Sequence, residues 1–393
     1  MRISRRSAVD PFIVMDVMEA ARQREEAGAR IIHMEVGQPG TGAPKGALEA
    51  LGRALPAEPL GYTVALGRAD LRARIARLYG DWYDLDLAPE RVVVTAGSSA
   101  GFLLAFLALF DAGERVAVGA PGYPSYRNIL KALNLVPVDI PTRPENRFQP
   151  APGEIAAEGD LAGLLVASPA NPSGTMLDRE ALSALIGACA ERDIAFVSDE
   201  IYHGIHYGAR AVSALEISDR AIVINSFSKY FSMTGWRIGW MVVPEPLVRV
   251  IERLAQNLFI CAPHASQLAA LAALDCTEEL AANLDVYRSN RSLMLAGLAK
   301  AGFARIAPPD GAFYIYADVS DLCSDSRVFA REILERAGVA VTPGTDFDPQ
   351  RGHRWLRFSY ARAQADIEEG LARLQGFMAG RRAGAPGRSI FKG

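Results

Sequence analysis

A chain of 393 residues, half of them apolar and 22% charged, is long enough for two or three domains with substantial cores. A net charge of −3 and a pI near 6.0 leave no electrostatic footprint for nucleic acid, and no block of like charge marks a binding tail. Cys189, Cys261, Cys276 and Cys323 form no C-x-x-C pair, which argues against a zinc site or disulfide scaffold and suits a reducing cytoplasm. No apolar stretch of signal-peptide length follows Arg2, Arg5 and Arg6, and the longest apolar run, 100–110, is too short to span a bilayer. A cytoplasmic protein without a membrane partner is expected.

Between residues 90 and 243 short β-branched runs alternate with longer helical patterns. The runs 92–95, 115–119, 136–140, 163–168, 194–198, 221–225 and 238–243 read as seven strands. The run 100–110 reads as a buried helix and 179–192 as an amphipathic one. Near-continuous apolar strands alternating with helices predict an α/β domain whose sheet is mostly parallel and covered on both faces. Residues 244–290 read as successive helices, with 286–301 a long connecting helix. Short strands at 312–317, 339–342 and 355–359 then mix with helices, as in a smaller α+β domain. The expected boundaries are 1–40 for an N-terminal arm and part of the small domain, 41–285 for the large domain and 286–380 for the small domain. A Gly-, Arg- and Ala-rich flexible tail is expected at 381–393.

Ligands of such sheets gather at the carboxyl ends of the strands. Gly97, Tyr123, Asn171, Asp199 and Lys229 each lie just past such an end. The richest segment is Asn225-Ser226-Phe227-Ser228-Lys229-Tyr230, with Arg237 eight residues beyond the lysine. A lysine that does chemistry must lose its proton, which a partly desolvated site with nearby positive charge favours. Ser226, Ser228 and Arg237 offer hydroxyls and a guanidinium to a phosphate. The group reads as a Schiff-base lysine holding pyridoxal 5′-phosphate. Alone, S-x-S-K recurs by chance and Lys229 would be a solvated loop residue; the remaining segments select the functional reading.

Asp199 ends the apolar run 194–198 and is costly to bury unless paired. It is either the partner of a protonated pyridine nitrogen or the N-cap of a helix at a strand–helix junction. Tyr202, one helical turn on, is placed to reach the ring oxygen. Asn171, in Pro169-Ala170-Asn171-Pro172-Ser173-Gly174, either opens a rigid turn or aims its amide at the phenolic oxygen and a substrate carboxylate. Thr95-Ala96-Gly97-Ser98-Ser99 is a small-residue turn whose backbone amides suit a phosphate. Tyr123, in Pro121-Gly122-Tyr123-Pro124-Ser125-Tyr126, is a candidate to stack on a flat ring or an ordinary half-buried tyrosine. Arg357, inside an apolar strand, calls for an anionic partner, whether a substrate carboxylate or a structural salt bridge. His203 and His206 are spaced i, i+3 without a third ligand, so no metal site is expected.

In this order the segments resemble the class I/II pyridoxal-phosphate aminotransferases of the aspartate aminotransferase family, fold type I. The resemblance runs from Val36-Gly37-Gln38-Pro39 to Arg357 and includes Gly61-Tyr62-Thr63, Gly67 and Leu71-Arg72. It implies that Lys229 is the Schiff-base lysine and proton carrier, that Asp199 partners the pyridine nitrogen, and that Asn171 and Tyr202 hold the phenolic oxygen. It further implies a phosphate cup of Ser98, Ser99, Ser226, Ser228 and Arg237, with Tyr123 stacked on the ring. Arg357, helped by the Gly37 backbone, is implied as the clamp for the substrate α-carboxylate. Tyr62 matches a tyrosine that reaches the neighbouring subunit's phosphate, implying a homodimer with shared active sites. The implied reaction moves an amino group from an L-amino acid to a 2-oxo acid, expected to be 2-oxoglutarate. A carbon–sulfur β-lyase on the same scaffold is the nearest alternative. A non-catalytic cofactor-binding regulator would need a DNA-binding segment, for which the stretch before the resemblance is too short. Members selective for acidic substrates carry a distal cation, yet 254–264 has no lysine or arginine and Ser99 stands at the other such position. A neutral or aromatic donor is therefore expected, with Tyr123, Phe12 and Ile13 lining an apolar pocket.

Overall fold

A computed structural model describes residues 1–57 and 59–384. The chain forms two compact units. Met1–Phe12, Gln38–Asp285 and Ala307–Tyr314 make the first; Ile13–Gly37, Val286–Ile306 and the described chain from Ile315 onward make the second.

The first unit is built on β1 (Val92–Thr95), β2 (Arg115–Ala120), β3 (Val136–Pro141), β4 (Gly163–Ala167), β5 (Ala195–Asp199), β6 (Ile222–Ser226) and β7 (Gly239–Val242). They form one sheet in the order β1-β7-β6-β5-β4-β2-β3. Pairing is parallel from β3 through β6, and β7 lies antiparallel between β1 and β6. Alternation along each strand divides the core into two layers. Val93, Val116, Leu165, Ile224 and Met241 pack with Phe102, Phe106 and Leu130 on one face. Val94, Ala117, Leu164, Phe196 and Trp240 pack with Leu71, Leu182 and Leu185 on the other. Each fully buried large aliphatic or aromatic side chain contributes about 1.5–3 kcal/mol, so both faces need a helical cover. The mostly parallel seven-stranded α/β sheet expected from the sequence is what forms.

The second unit holds a short sheet of β8 (Tyr314–Asp318), β9 (Thr342–Pro343) and β10 (Trp355–Ser359), in the order β9-β10-β8. The expected strand 339–342 is broken: Val339–Ala340 pairs in parallel with Ile32–His33, whereas Thr342–Pro343 pairs antiparallel with β10. An unanticipated helix, Ile13–Glu26, has its first amides satisfied by Asp346, Ile13 N–H at 2.9 Å and Val14 N–H at 3.3 Å.

Four expected boundaries are corrected. Residues 307–314 belong to the first unit, because Gly311 N–H bonds the Gly174 carbonyl at 2.9 Å and Ala312 N–H the Ile205 carbonyl at 3.0 Å. Ala312 also has φ +56°, so β8 starts at Tyr314 instead of 312. The connecting helix begins earlier than 286, running Thr277–Ala301. The last helix, Gln364–Gly384, continues past Arg381, which bonds Glu332 and, at 3.1 Å, the Leu322 carbonyl. A tail starting at 381 is thus replaced by helix as far as 384, and 385–393 lie outside the described residues. Among the described residues no helix is long and apolar enough to cross a membrane.

Candidate active site

The carboxyl ends of β1, β2, β4, β5 and β6 gather the first unit's candidate residues along one edge of the sheet. Gly97 (φ +79°) turns β1 into the helix Ser98–Leu109, whose first amides have no intrahelical acceptor. Arg237 (φ +51°) follows the turn Thr234–Trp236 and donates to the Thr234 carbonyl at 3.0 Å. A Cβ on Gly97 would fall 2.5 Å from Arg237 Nη2, so the glycine leaves room for the guanidinium against the helix N-terminus. Ser226 Oγ lies 2.8 Å from Ser228 Oγ, accepts the Ser228 amide at 3.0 Å and donates to the Ile238 carbonyl at 3.1 Å. The helix N-terminus and the Arg237 guanidinium meet at Gly97, an arrangement that suits an anion. Ser99, on the first turn of that helix, is exposed. A cavity of about 440 Å³, lined in part by Gln38, Thr41, Ser232, Thr234, Trp236 and Ser266, opens beside this loop.

Asp199 is buried at the end of β5. Its Oδ1 accepts the Ile201 amide at 3.0 Å, and its Oδ2 accepts the Tyr126 hydroxyl. Burial pushes the carboxyl up to about 6, against the pull of the Tyr126 and Ile201 hydrogen bonds and the Lys229 charge. The alternative of a helix N-cap is removed, because the residues after Asp199 form turns instead of a helix. Tyr202 is accordingly placed by a turn, its hydroxyl 2.7 Å from that of Tyr314. Lys229 Nζ stands over the Tyr202 ring, 5.9 Å from its centroid.

Asn171 is buried in a turn flanked by cis peptides at Ser168–Pro169 and Asn171–Pro172. Backbone bonds from Ala170 to Thr175 at 3.0 Å and from Gly174 to Ala170 at 2.8 Å close that turn. Tyr123, at the start of the helix Pro124–Ala132, meets the rings of Phe12 and Tyr126 edge-on, at 5.8 and 5.3 Å. Tyr62 is 83% exposed.

Arg357 and Gly37 belong to the second unit. Arg357, buried on β10, donates to the Glu35 carbonyl and, at 3.3 Å, to Thr342 Oγ1. Its guanidinium lies 4.8 Å over the Phe347 ring. These contacts fix the guanidinium two residues from Gly37.

Three partners escaped the sequence. Tyr126 and Tyr314 sit in apolar surroundings that read as core, and only the fold turns their hydroxyls toward Asp199 and Tyr202. The third is a buried network behind Asp199. Glu200 accepts Ser213 Oγ at 3.0 Å and the Ala214 amide at 2.8 Å, and burial pushes it up to about 8. His203 bonds Tyr83 Oη through Nδ1 at 2.6 Å and the Ser168 carbonyl through Nε2 at 2.8 Å; burial lowers it to about 3. Both ring nitrogens are engaged in hydrogen bonds.

A helix N-terminus beside Arg237, the buried carboxyl of Asp199 and the amine of Lys229, all at one sheet edge, are the kinds of group that pyridoxal phosphate requires: one for a phosphate, one for a pyridine nitrogen and one for a carbonyl. Fold and site together define an α/β enzyme of amino-group chemistry. The family described as Aminotransferase class I and II matches residues 29–374. The valine–pyruvate aminotransferase of Mycobacterium tuberculosis is 49% identical over 95% of this chain and 97% of its own length. A Silicibacter pomeroyi crystal structure described as that of an aminotransferase is 71% identical, with a TM-score of 0.93 over 97% of this chain and 100% of that one. Thermus thermophilus aspartate aminotransferase with maleate is 31% identical, with a TM-score of 0.90 over 96% and 100%. The chain belongs to the class I and II aminotransferases, enzymes that depend on pyridoxal phosphate and act on amino and oxo acids.

Proposed function

We propose that this enzyme transfers the amino group of a neutral L-amino acid, aliphatic or aromatic, to a small 2-oxo acid. When bound, pyridoxal phosphate supplies the carbonyl that takes up the amino group and the ring that withdraws electrons from the substrate. Ser98, Ser99, Ser226, Ser228 and Arg237 bind the phosphate, and Asp199 holds the ring nitrogen protonated. Asn171 and Tyr202 hold the phenolic oxygen, with Tyr123 against the ring. Lys229 Nζ keeps the cofactor between turnovers and, as a free amine, takes the proton from the substrate α-carbon. Arg357 binds the α-carboxylate beside the Gly37 backbone and orients that C–H bond.

The observation that carries the substrate class is the lack of any lysine or arginine in 254–264, together with exposed Ser99 at the alternative position. Arg68 does reach His264 at 3.0 Å, but Asp70 already holds its guanidinium at 2.7 Å. A distal carboxylate left without a cation in a partly desolvated pocket costs several kcal/mol, on the order of 3–5. That penalty falls on aspartate as donor and equally on 2-oxoglutarate as acceptor. Pyruvate therefore replaces 2-oxoglutarate as the acceptor in this reading, which the valine–pyruvate relative also favours. Phe12 and Tyr123 supply an apolar surface for the donor side chain. The free cysteines fit a reducing cytoplasm.

The test is a panel of kcat/KM values for valine, alanine, leucine, methionine, phenylalanine and aspartate, each against pyruvate and 2-oxoglutarate. Neutral donors should exceed aspartate about tenfold or more. A tenfold preference for aspartate would reveal a distal cation. Release of pyruvate and ammonia from cystathionine faster than amino transfer would favour the β-lyase.

A further inference from the structure

Tyr126 comes to Asp199 from a distant helix. It lies on Pro124–Ala132 and donates its hydroxyl proton to Asp199 Oδ2, while Oδ1 takes the Ile201 amide at 3.0 Å. Both residues are buried, and edge contacts with Phe102 at 5.2 Å and Tyr123 at 5.3 Å fix the Tyr126 ring. Resting on the reading of Asp199 as partner of the pyridine nitrogen, we infer that Tyr126 is a positioning residue. Its hydroxyl orients the carboxylate and keeps it ionised, so that the proton of the pair stays on the ring nitrogen.

The choice of a phenol matters. A cationic donor would cancel the charge of Asp199; a neutral hydroxyl supports the carboxylate and leaves its charge for the ring. Burial and the adjacent Asp199 charge push Tyr126 well above the ordinary tyrosine range, so it stays a donor across the working pH. Burial alone favours a protonated Asp199, and the Tyr126 hydroxyl opposes it together with the Ile201 amide and the Lys229 charge. Around the pair, Tyr123 and Tyr202 face Tyr126. The register neighbours of Asp199, Ala167 on β4 and Ile224 on β6, carry no charge. Glu200, next along the chain, accepts from Ser198, Ser213 and the Ala214 amide.

Tyr126→Phe keeps the ring and its packing and removes the hydroxyl. Wild type, Tyr126→Phe and Asp199→Asn holoenzymes are loaded with pyridoxal phosphate carrying nitrogen-15 in the ring. The ring-nitrogen chemical shift is read near pH 7.5, beside thermal midpoint, kcat and KM. A hydrogen bond to a charged group is worth about one to two pH units of proton affinity, so its loss moves the proton toward the carboxyl about ten- to a hundredfold. The wild type should show a protonated nitrogen and Asp199→Asn a neutral one. Tyr126→Phe should move toward the neutral position with kcat reduced about tenfold or more and KM within about twofold. A wild-type shift in folded Tyr126→Phe overturns the inference. Coincident shifts in wild type and Asp199→Asn overturn the reading of Asp199, and the inference with it.

Discussion

The loop that carries Lys229 is pinned by Phe227 and Phe231, buried rings 4.8 Å apart, so truncating the lysine removes an amine without loosening its support. Lys229→Ala is expected to fold normally, to lose amino transfer and to lose the visible absorbance of bound cofactor. Turnover at the wild-type rate would refute its role. Glu200 makes a separate, structural prediction. Its ordinary value is 4.5 and its folded value about 8, so between these the folded state keeps a proton that the unfolded chain releases. Its stabilising contribution is complete below about pH 4.5 and is lost as pH rises through about 8. Glu200→Gln removes that titration, so its Tm relative to wild type should rise by about 2–5 °C between pH 5 and 9. Parallel Tm–pH curves would contradict the buried-acid assignment.

At the level of elements, the junction of β1 with the helix Ser98–Leu109 depends on a residue without a side chain. Gly97→Ala forces alanine to φ +79°, which costs about 1–2 kcal/mol, and drives its methyl into the Arg237 guanidinium. The arginine can swing away, so the fold survives while the anion cup loses its cation. Affinity for pyridoxal phosphate should fall about tenfold, with a much smaller change for pyridoxal, which has no phosphate. Equal losses for both would place the phosphate elsewhere. Much of this edge was legible in the sequence because polar residues interrupt apolar runs where strands end: Gly97, Asn171, Asp199 and Lys229 stand out for that reason. Tyr126 did not, because it lies 73 residues from Asp199 and an aromatic residue on a helix reads as core. The break between Ala340 and Thr342 was equally hidden, since one apolar run serves two sheets and no polar residue marks the change. Substrate recognition is the least legible feature, because the proposed preference rests on the absence of a lysine or arginine from 254–264.

For the molecule as a whole, Tyr62 and Val64 are 83% and 64% exposed in the single chain, as the expected contact with a second copy would require. Sedimentation of the holoenzyme should give a dimer, and a monomer with full activity would contradict the sharing of Tyr62 that the resemblance implies. The central claim, that Lys229 is the residue that holds the cofactor, has a direct chemical test. The other lysines are Lys45, Lys131, Lys300 and Lys392. Borohydride reduction of the holoenzyme fixes the cofactor to whichever lysine carries it, and peptide mass spectrometry then locates the phosphopyridoxyl group. One equivalent on the peptide containing Lys229 is predicted. A label on any other lysine, or none on Lys229 in an enzyme that still turns over, would contradict the account.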